Sequence, residues 1–277
     1  MNKSFRKWVL ISFFTFMLFW AVPVSAAAFK TVHTNTSWPV SSRKSGGAVF
    51  SSEYTSSGTI LRAQKSGKTV TITNSFNGGT VISDGKTAYY CAKTSDKWCL
   101  YKANVKTGSK KKIGVLATSG YNIDLAGIYK NQVYYIIDVP EGTFAKFSLK
   151  NKSAKKLSFG KTVSIARQTG KYFVLADGTG AGYSYLGLWN AASNKFKTIS
   201  KKPVIWYETS KYVYFVEYKK SGYYFGQSAD MLVKRYKLSN GQKKTITKSF
   251  NGTGISQLTA KYVKYYTSSG SQKTIRW

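Results

Sequence analysis

Acidic residues are scarce in this chain. Its 277 residues include ten Asp plus Glu against 43 Lys plus Arg, so the formal net charge is +33. Histidine occurs once, as His33; cysteine occurs twice, as Cys91 and Cys99; proline occurs four times. A histidine-based zinc site, or a Ser-His-Asp triad, would have to use His33, near the start of the chain. Two cysteines without nearby histidine do not make a zinc site either. The ten acids are Glu53, Asp84, Asp96, Asp124, Asp138, Glu141, Asp177, Glu208, Glu217 and Asp230. Their spacing offers no pair of the kind that hydrolyses glycosides. No catalytic, cofactor or metal-binding constellation is therefore expected. Long apolar runs are missing after Val22, so no later segment is apolar enough to span a bilayer.

What is abundant points to an ordered β protein. Hydrophobic residues make up 42% and aromatics 16%, with 21 Tyr and 16 Phe. A disordered polycation is excluded, since disorder needs few aromatics and low hydrophobicity. Thr, Val, Ile and Tyr recur in short runs, which favours strands.

The first residues read as an export address. Lys3, Arg6 and Lys7 precede an apolar run from Trp8 to Val22, and Val24-Ser25-Ala26 offers small residues for cleavage. This is the layout of a secretory signal peptide at 1–26. An uncleaved N-terminal anchor is the alternative. The expected mature chain is secreted, extracellular or associated with the cell wall, and forms one domain over 27–277. Three basic residues and no acid leave with the signal, so +30 remains.

Inside that domain a unit repeats. An apolar or aromatic pair recurs at Val49-Phe50, Tyr89-Tyr90, Tyr134-Tyr135, Tyr172-Phe173, Tyr214-Phe215 and Tyr265-Tyr266. The spacings are 40, 45, 38, 42 and 51 residues. Each pair is followed by a second apolar run and then, in five units, by a turn such as Thr107-Gly108 or Asn240-Gly241 and a third run. Independently, Ile72-Thr73-Asn74-Ser75-Phe76-Asn77-Gly78 reappears as Ile246-Thr247-Lys248-Ser249-Phe250-Asn251-Gly252, 174 residues later, which is four units of 43.5. A three- or four-stranded unit of this length is a propeller blade. The fold class expected is an all-β, six-bladed β-propeller. Its last unit is short, and an N-terminal strand at Phe29–Thr34 is expected to complete it, removing a free edge. A β-sandwich, or two small β domains, is the alternative.

The unit Asp84-Gly85-Lys86-Thr87-Ala88-Tyr89-Tyr90, followed by Leu100-Tyr101 and Lys106-Thr107-Gly108-Ser109-Lys110, resembles the repeat of bacterial secreted six-bladed propellers. These are the TolB-like and YWTD-like group, which includes domains of unknown function. The resemblance covers most of the chain through short motifs. It implies binding or scaffolding more often than catalysis, and transfers no catalytic residue.

Cys91 and Cys99 flank a predicted hairpin turn at Ser95-Asp96, so a cross-strand disulfide is expected; two buried thiols are the alternative. The run Asp177-Gly178-Thr179-Gly180-Ala181-Gly182-Tyr183 precedes a strand-like segment rather than a helix. It is therefore read as a hairpin loop and not as a phosphate cradle. Tyr183, Tyr185, Tyr223, Tyr224 and Phe225 fall in loops on one face and are candidate ligand-binding platforms. Phe76 and Phe250 are expected to plug gaps between blades, and His33 to be an unpaired surface or edge histidine. Lysines cluster where the fourth strand of each unit begins: Lys68, Lys110-Lys111-Lys112, Lys155-Lys156, Lys195 with Lys197, and Lys243-Lys244. Lysine protects exposed strand edges, yet so large an excess also attracts polyanions. The expected function is a non-enzymatic secreted binding or scaffold propeller, associated with anionic cell-wall polymer or polysaccharide. Two alternatives stand beside it: a module recognising a protein or glycan through Tyr223–Phe225, and a polysaccharide-active enzyme. Nucleic acid is not the expected partner of an exported chain.

Overall fold

The computed structural model describes residues 28–35, 40–120, 122–138, 142–179, 182–220 and 226–277. The expected signal peptide lies outside them. The described chain is an all-β propeller of six antiparallel sheets in sequence order.

The first blade holds Lys44–Ser45, Ala48–Thr55, Gly58–Lys65 and Lys68–Thr73. The second holds Thr80–Ser83, Thr87–Thr94, Lys97–Asn104 and Lys110–Ala117. The third holds Asn122–Tyr129, Gln132–Asp138, Thr143–Ser148 and Ser153–Lys156. The fourth holds Ile165–Thr169, Tyr172–Thr179, Gly182–Asn190 and Lys195–Ser200. The fifth holds Pro203–Glu208, Tyr212–Tyr218, Ala229–Lys237 and Lys243–Thr245, and Phe250–Gly252 also pairs with its third strand. The sixth has three strands: Gly254–Leu258, Tyr262–Tyr266 and Gln272–Arg276.

Every recurrent pair of the sequence lies on the second strand of its blade. Successive side chains on a strand leave opposite faces, so the two members of a pair serve different neighbours. Tyr90 packs in the cluster between the first and second blades, Tyr89 in that between the second and third. Tyr135 faces the second blade and Tyr134 the fourth. Phe215 faces the fourth and Tyr214 the sixth. A strand covered on both faces needs apolar residues at consecutive positions, and this is the origin of the repeat. Phe76 and Phe250 are buried in the clusters between the first and second and between the fifth and sixth blades, as read from the sequence.

Among the described residues, apolar clusters join each blade to the next through the first five junctions, and none joins the sixth blade to the first. The pair residue facing that seam is accordingly less covered. Tyr266 is 42% exposed, whereas its neighbour Tyr265 is 8% exposed.

The N-terminal strand does not complete the sixth blade. Lys30–His33 pairs antiparallel with Thr80–Ser83, so it is a fifth, innermost strand of the second blade. Val32 is fully buried between the first two blades, and Thr31 Oγ1 donates to Ala126 O of the third blade at 2.8 Å. These contacts hold the strand on the inner wall. The sixth blade keeps three strands.

The disulfide is also absent. Ser95 and Asp96 both have positive φ, 47° and 60°, forming a tight two-residue hairpin turn of the primed type. That turn sets the register: Cys91 opposes Leu100, and Cys99 opposes Ala92. The one-residue offset sends the two sulfurs to opposite faces of the sheet. Both are free and buried.

One glycine pair fixes how the first two blades meet. A Cβ on Gly46 would lie 2.0 Å from Asp84 O, and one on Gly85 would lie 2.5 Å from Gly46 Cα. Both have positive φ. The two hairpins touch backbone to backbone, which only glycine permits.

Candidate functional site

A channel of about 1210 Å³ runs along the innermost strands of the second to fifth blades. Its walls come mainly from Lys30–His33, Asn122–Tyr129 and Ile165–Thr169, with Glu208 at the end of the fifth blade's first strand. Side chain-to-backbone hydrogen bonds stitch these strands together across blades. Gln168 does so twice on one residue: its Nε2 donates to Ile128 O at 2.7 Å, and its Oε1 accepts from Ile128 N at 2.9 Å. The amide thus stands in for a neighbouring strand. Gly127 makes room for it, since a Cβ there would lie 2.1 Å from Gln168 Oε1. Thr80 Oγ1 accepts from Leu125 N, and Thr169 Oγ1 donates to Thr209 O, each at 2.9 Å.

Two titratable groups of the wall, Glu208 and His33, feel the charge of Arg167. Its guanidinium lies 5.1 Å from the centre of the Trp206 ring. Its Nη1 is 3.8 Å from Glu208 Oε2, an ion pair longer than a hydrogen bond. Burial pushes the Glu208 carboxyl above its ordinary value, and Arg167 opposes that shift. Burial likewise raises Asp124; the Gly79 backbone N–H opposes the rise and the charge of Asp138 adds to it. His33 is shifted the other way, lowered by burial and by the charge of Arg167. Lys30, Lys130 and Lys171 also line the channel. The wall therefore combines four basic side chains with two carboxyls that burial makes reluctant to ionise. Among the described residues, no group of three or more His, Cys, Asp or Glu could hold a metal ion.

The sequence did not single out Arg167, Gln168, Asp124 or Glu208, and it read His33 as an unpaired surface or edge residue. His33 is instead half-buried in the channel wall. The available signal was a polar residue within the run before each aromatic pair, the run that becomes the innermost strand.

The platform residues fare differently. Tyr185 is not a surface platform: it is 3% exposed, and its hydroxyl donates to Thr162 O at 2.5 Å. Alternation along its strand turns it into the cluster between the third and fourth blades. Tyr183 is half-buried edge-on against Trp206, with ring centres 5.0 Å apart. Tyr223, Tyr224 and Phe225 lie outside the described residues. Gly178 pairs with Tyr183 and Thr179 with Gly182, so the glycine-rich segment is a hairpin, as expected.

The far edge of each sheet carries the other concentration of charge. Lys68, Lys110, Lys111, Lys112, Lys155, Lys156, Lys195, Lys197, Lys243 and Lys244 are all exposed on outermost strands, and Lys273 is exposed on the sixth blade's outermost strand, which is its third. These lysines form a rim rather than one patch. Some also tie blades together. Lys110 Nζ donates to Thr73 Oγ1 at 3.2 Å, Lys243 Nζ donates to Ile199 O at 3.3 Å, and Lys197 Nζ sits 5.6 Å from the Tyr236 ring centre. Among the described residues only four ion pairs form: Arg62–Glu53, Lys93–Asp96, Arg167–Glu208 and Lys234–Glu217. Most of the positive charge faces water without a carboxylate beside it.

No family model matches the chain, and no curated protein sequence matches it. Solved structures do. A structure of oligogalacturonate lyase in complex with manganese is similar at TM-score 0.56 and 10% identity, over 90% of this chain and 81% of that one. The oligogalacturonate lyase of Vibrio parahaemolyticus is similar at TM-score 0.53 and 8% identity, over 90% and 79%. TolB from Acinetobacter baumannii is similar at TM-score 0.44 and 12% identity, over 94% and 66%. At such identities the likeness is one of fold.

Proposed function

We propose that this chain is a non-enzymatic binding or scaffold propeller, exported by its N-terminal signal, that associates with an anionic polymer at or outside the cell surface. The observation that carries the reading is the exposed lysine rim, spread over all six blades with few acids to neutralise it. Lysines at every blade edge give diffuse attraction to a phosphate or carboxylate polymer. Bidentate, geometry-specific contacts would favour arginine. The test is retention of the mature protein on isolated cell wall and on an anionic polymer resin, eluted with a salt gradient. Retention at low salt, weakened in the K110Q/K111Q/K112Q variant, is expected. Passage of the wild type through both materials at low salt overturns the reading.

A second reading, a polysaccharide-active enzyme, is favoured by one feature. The channel brings Asp124, Glu208, His33 and three lysines around one space, in a fold shared with a lyase that acts, by its name, on oligogalacturonate. Release of shortened or unsaturated products from a panel of acidic glycans, lost in Glu208→Gln, would establish it over the first. The Tyr223–Phe225 loop remains a candidate for protein or glycan recognition, tested by ligand capture with the Y223A/Y224A variant.

A further inference from the structure

The channel asks for a ligand with two properties, and they come from different atoms. The first is negative charge. Lys30, Lys130, Arg167 and Lys171 line one space with only Asp124 and Glu208 to balance them. The Arg167 guanidinium lies over the Trp206 ring, 5.1 Å from its centre, while its pair with Glu208 is too long to be a hydrogen bond. Its N–H fork is thus underused among the described residues, and such a fork suits a carboxylate or phosphate. The second property is a hydroxyl. Glu208 Oε2 is buried, and among the described residues no donor reaches it within hydrogen-bond range. A buried acceptor without a donor is costly, and a ligand O–H beside the anion would satisfy it. Gln168 cannot serve either need, because its amide is already spent on Ile128 and Gly170. It keeps the wall rigid instead. The channel's volume accommodates a small sugar or polyol.

We propose that the central channel is a saturable site for a hydroxylated oxyanion, a sugar acid or polyol phosphate, whose anionic group is held by Arg167 and whose hydroxyl donates to Glu208. This site is separate from the rim and does not rest on the polymer reading.

The test is titration of the mature protein, at fixed ionic strength, with galacturonate and with glycerol phosphate. Heat and Trp fluorescence are read together, because Trp206 lies against Arg167. Galactose and glycerol serve as neutral controls, and sulfate as an anion without a hydroxyl. One-to-one binding of an acidic probe is expected, with none by the neutral controls; the tighter acid identifies the oxyanion. Arg167→Gln should weaken it by at least about tenfold, and Arg167→Lys by less, since charge remains but the fork is lost. Glu208→Ala should weaken the acidic sugar or polyol without weakening sulfate. If Arg167→Gln does not fold, Lys171→Gln is used, with a smaller loss expected. No saturable binding of either acid, or binding unchanged in every channel variant, overturns the proposal. The K110Q/K111Q/K112Q variant should bind the probes as the wild type does while losing resin retention, so the two readings can fail separately.

Discussion

The rim and the channel carry the same kind of charge in opposite physical settings. Rim lysines lie on the outermost strands, exposed, in a solvent that screens them within roughly 10 Å. Each contributes little to stability, and together they set the field around the molecule. Arg167, Asp124, Glu208 and His33 sit on the innermost strands, partly desolvated, where a carboxyl resists ionisation and a histidine resists protonation. Ionisable groups are therefore ordinary solvated charges at the outer end of each sheet and perturbed ones at the inner end. Radial position, not residue identity, separates them.

The sharpest way to break this comparison is to cut a staple of the inner wall. Gln168→Ala removes both bonds to Ile128 and leaves its N–H and C=O without those partners. A loss of about 1–3 kcal/mol is expected, read as a lower urea midpoint at unchanged slope. A neutral outcome would mean the wall is not held by this amide.

Titration sharpens the comparison next. His33 lies below its ordinary 6.5 in the fold. Its neutral form therefore contributes stability above 6.5, and that contribution disappears as pH falls through the lowered folded value. His33→Gln should flatten the decline in Tm on the acid side of neutrality. Asp124 and Glu208 act in the opposite sense. Their folded values are raised above 3.8 and 4.5, so their contribution is present below those values and is lost as pH rises through the folded ones. Asp124→Asn should therefore gain more on the wild type at pH 7 than at pH 4. A pH-independent difference would place Asp124 in water rather than in a wall.

The rim should respond least. K110Q/K111Q/K112Q is expected to leave unfolding free energy within about 1 kcal/mol of the wild type. Its effect should appear instead in the salt needed for elution from an anionic resin. The smallest effect concerns the second blade. Reductant should not change Tm, because no disulfide closes it, and a thiol reagent should reach Cys91 only on unfolding. Burial raises that thiol well above its ordinary value. A fall in Tm on reduction would restore the disulfide.

Much of the fold was legible because it follows from local rules. The aromatic pairs marked second strands, since a strand buried on both faces must be apolar at consecutive positions. Asn-Gly, Thr-Gly and Ser-Asp pairs marked turns. Lysines marked outer edges. The candidate site was far less legible. Arg167, Asp124, Glu208 and His33 lie far apart in the chain with no shared motif, and they line one space only because three different blades and an added strand converge there. Tyr185 shows the same limit from the other side. Its loop neighbourhood read as exposed, while strand alternation turned its ring inward.

The sequence by itself determined the repeat and the basic excess, because propensity, periodicity and charge are properties of neighbours along the chain. Only the tertiary structure decided where Lys30–His33 would pair, that Cys91 and Cys99 would miss each other by one residue, and which charges face the channel and which face water. Those are matters of register and radial position, set by contacts between residues far apart in the chain.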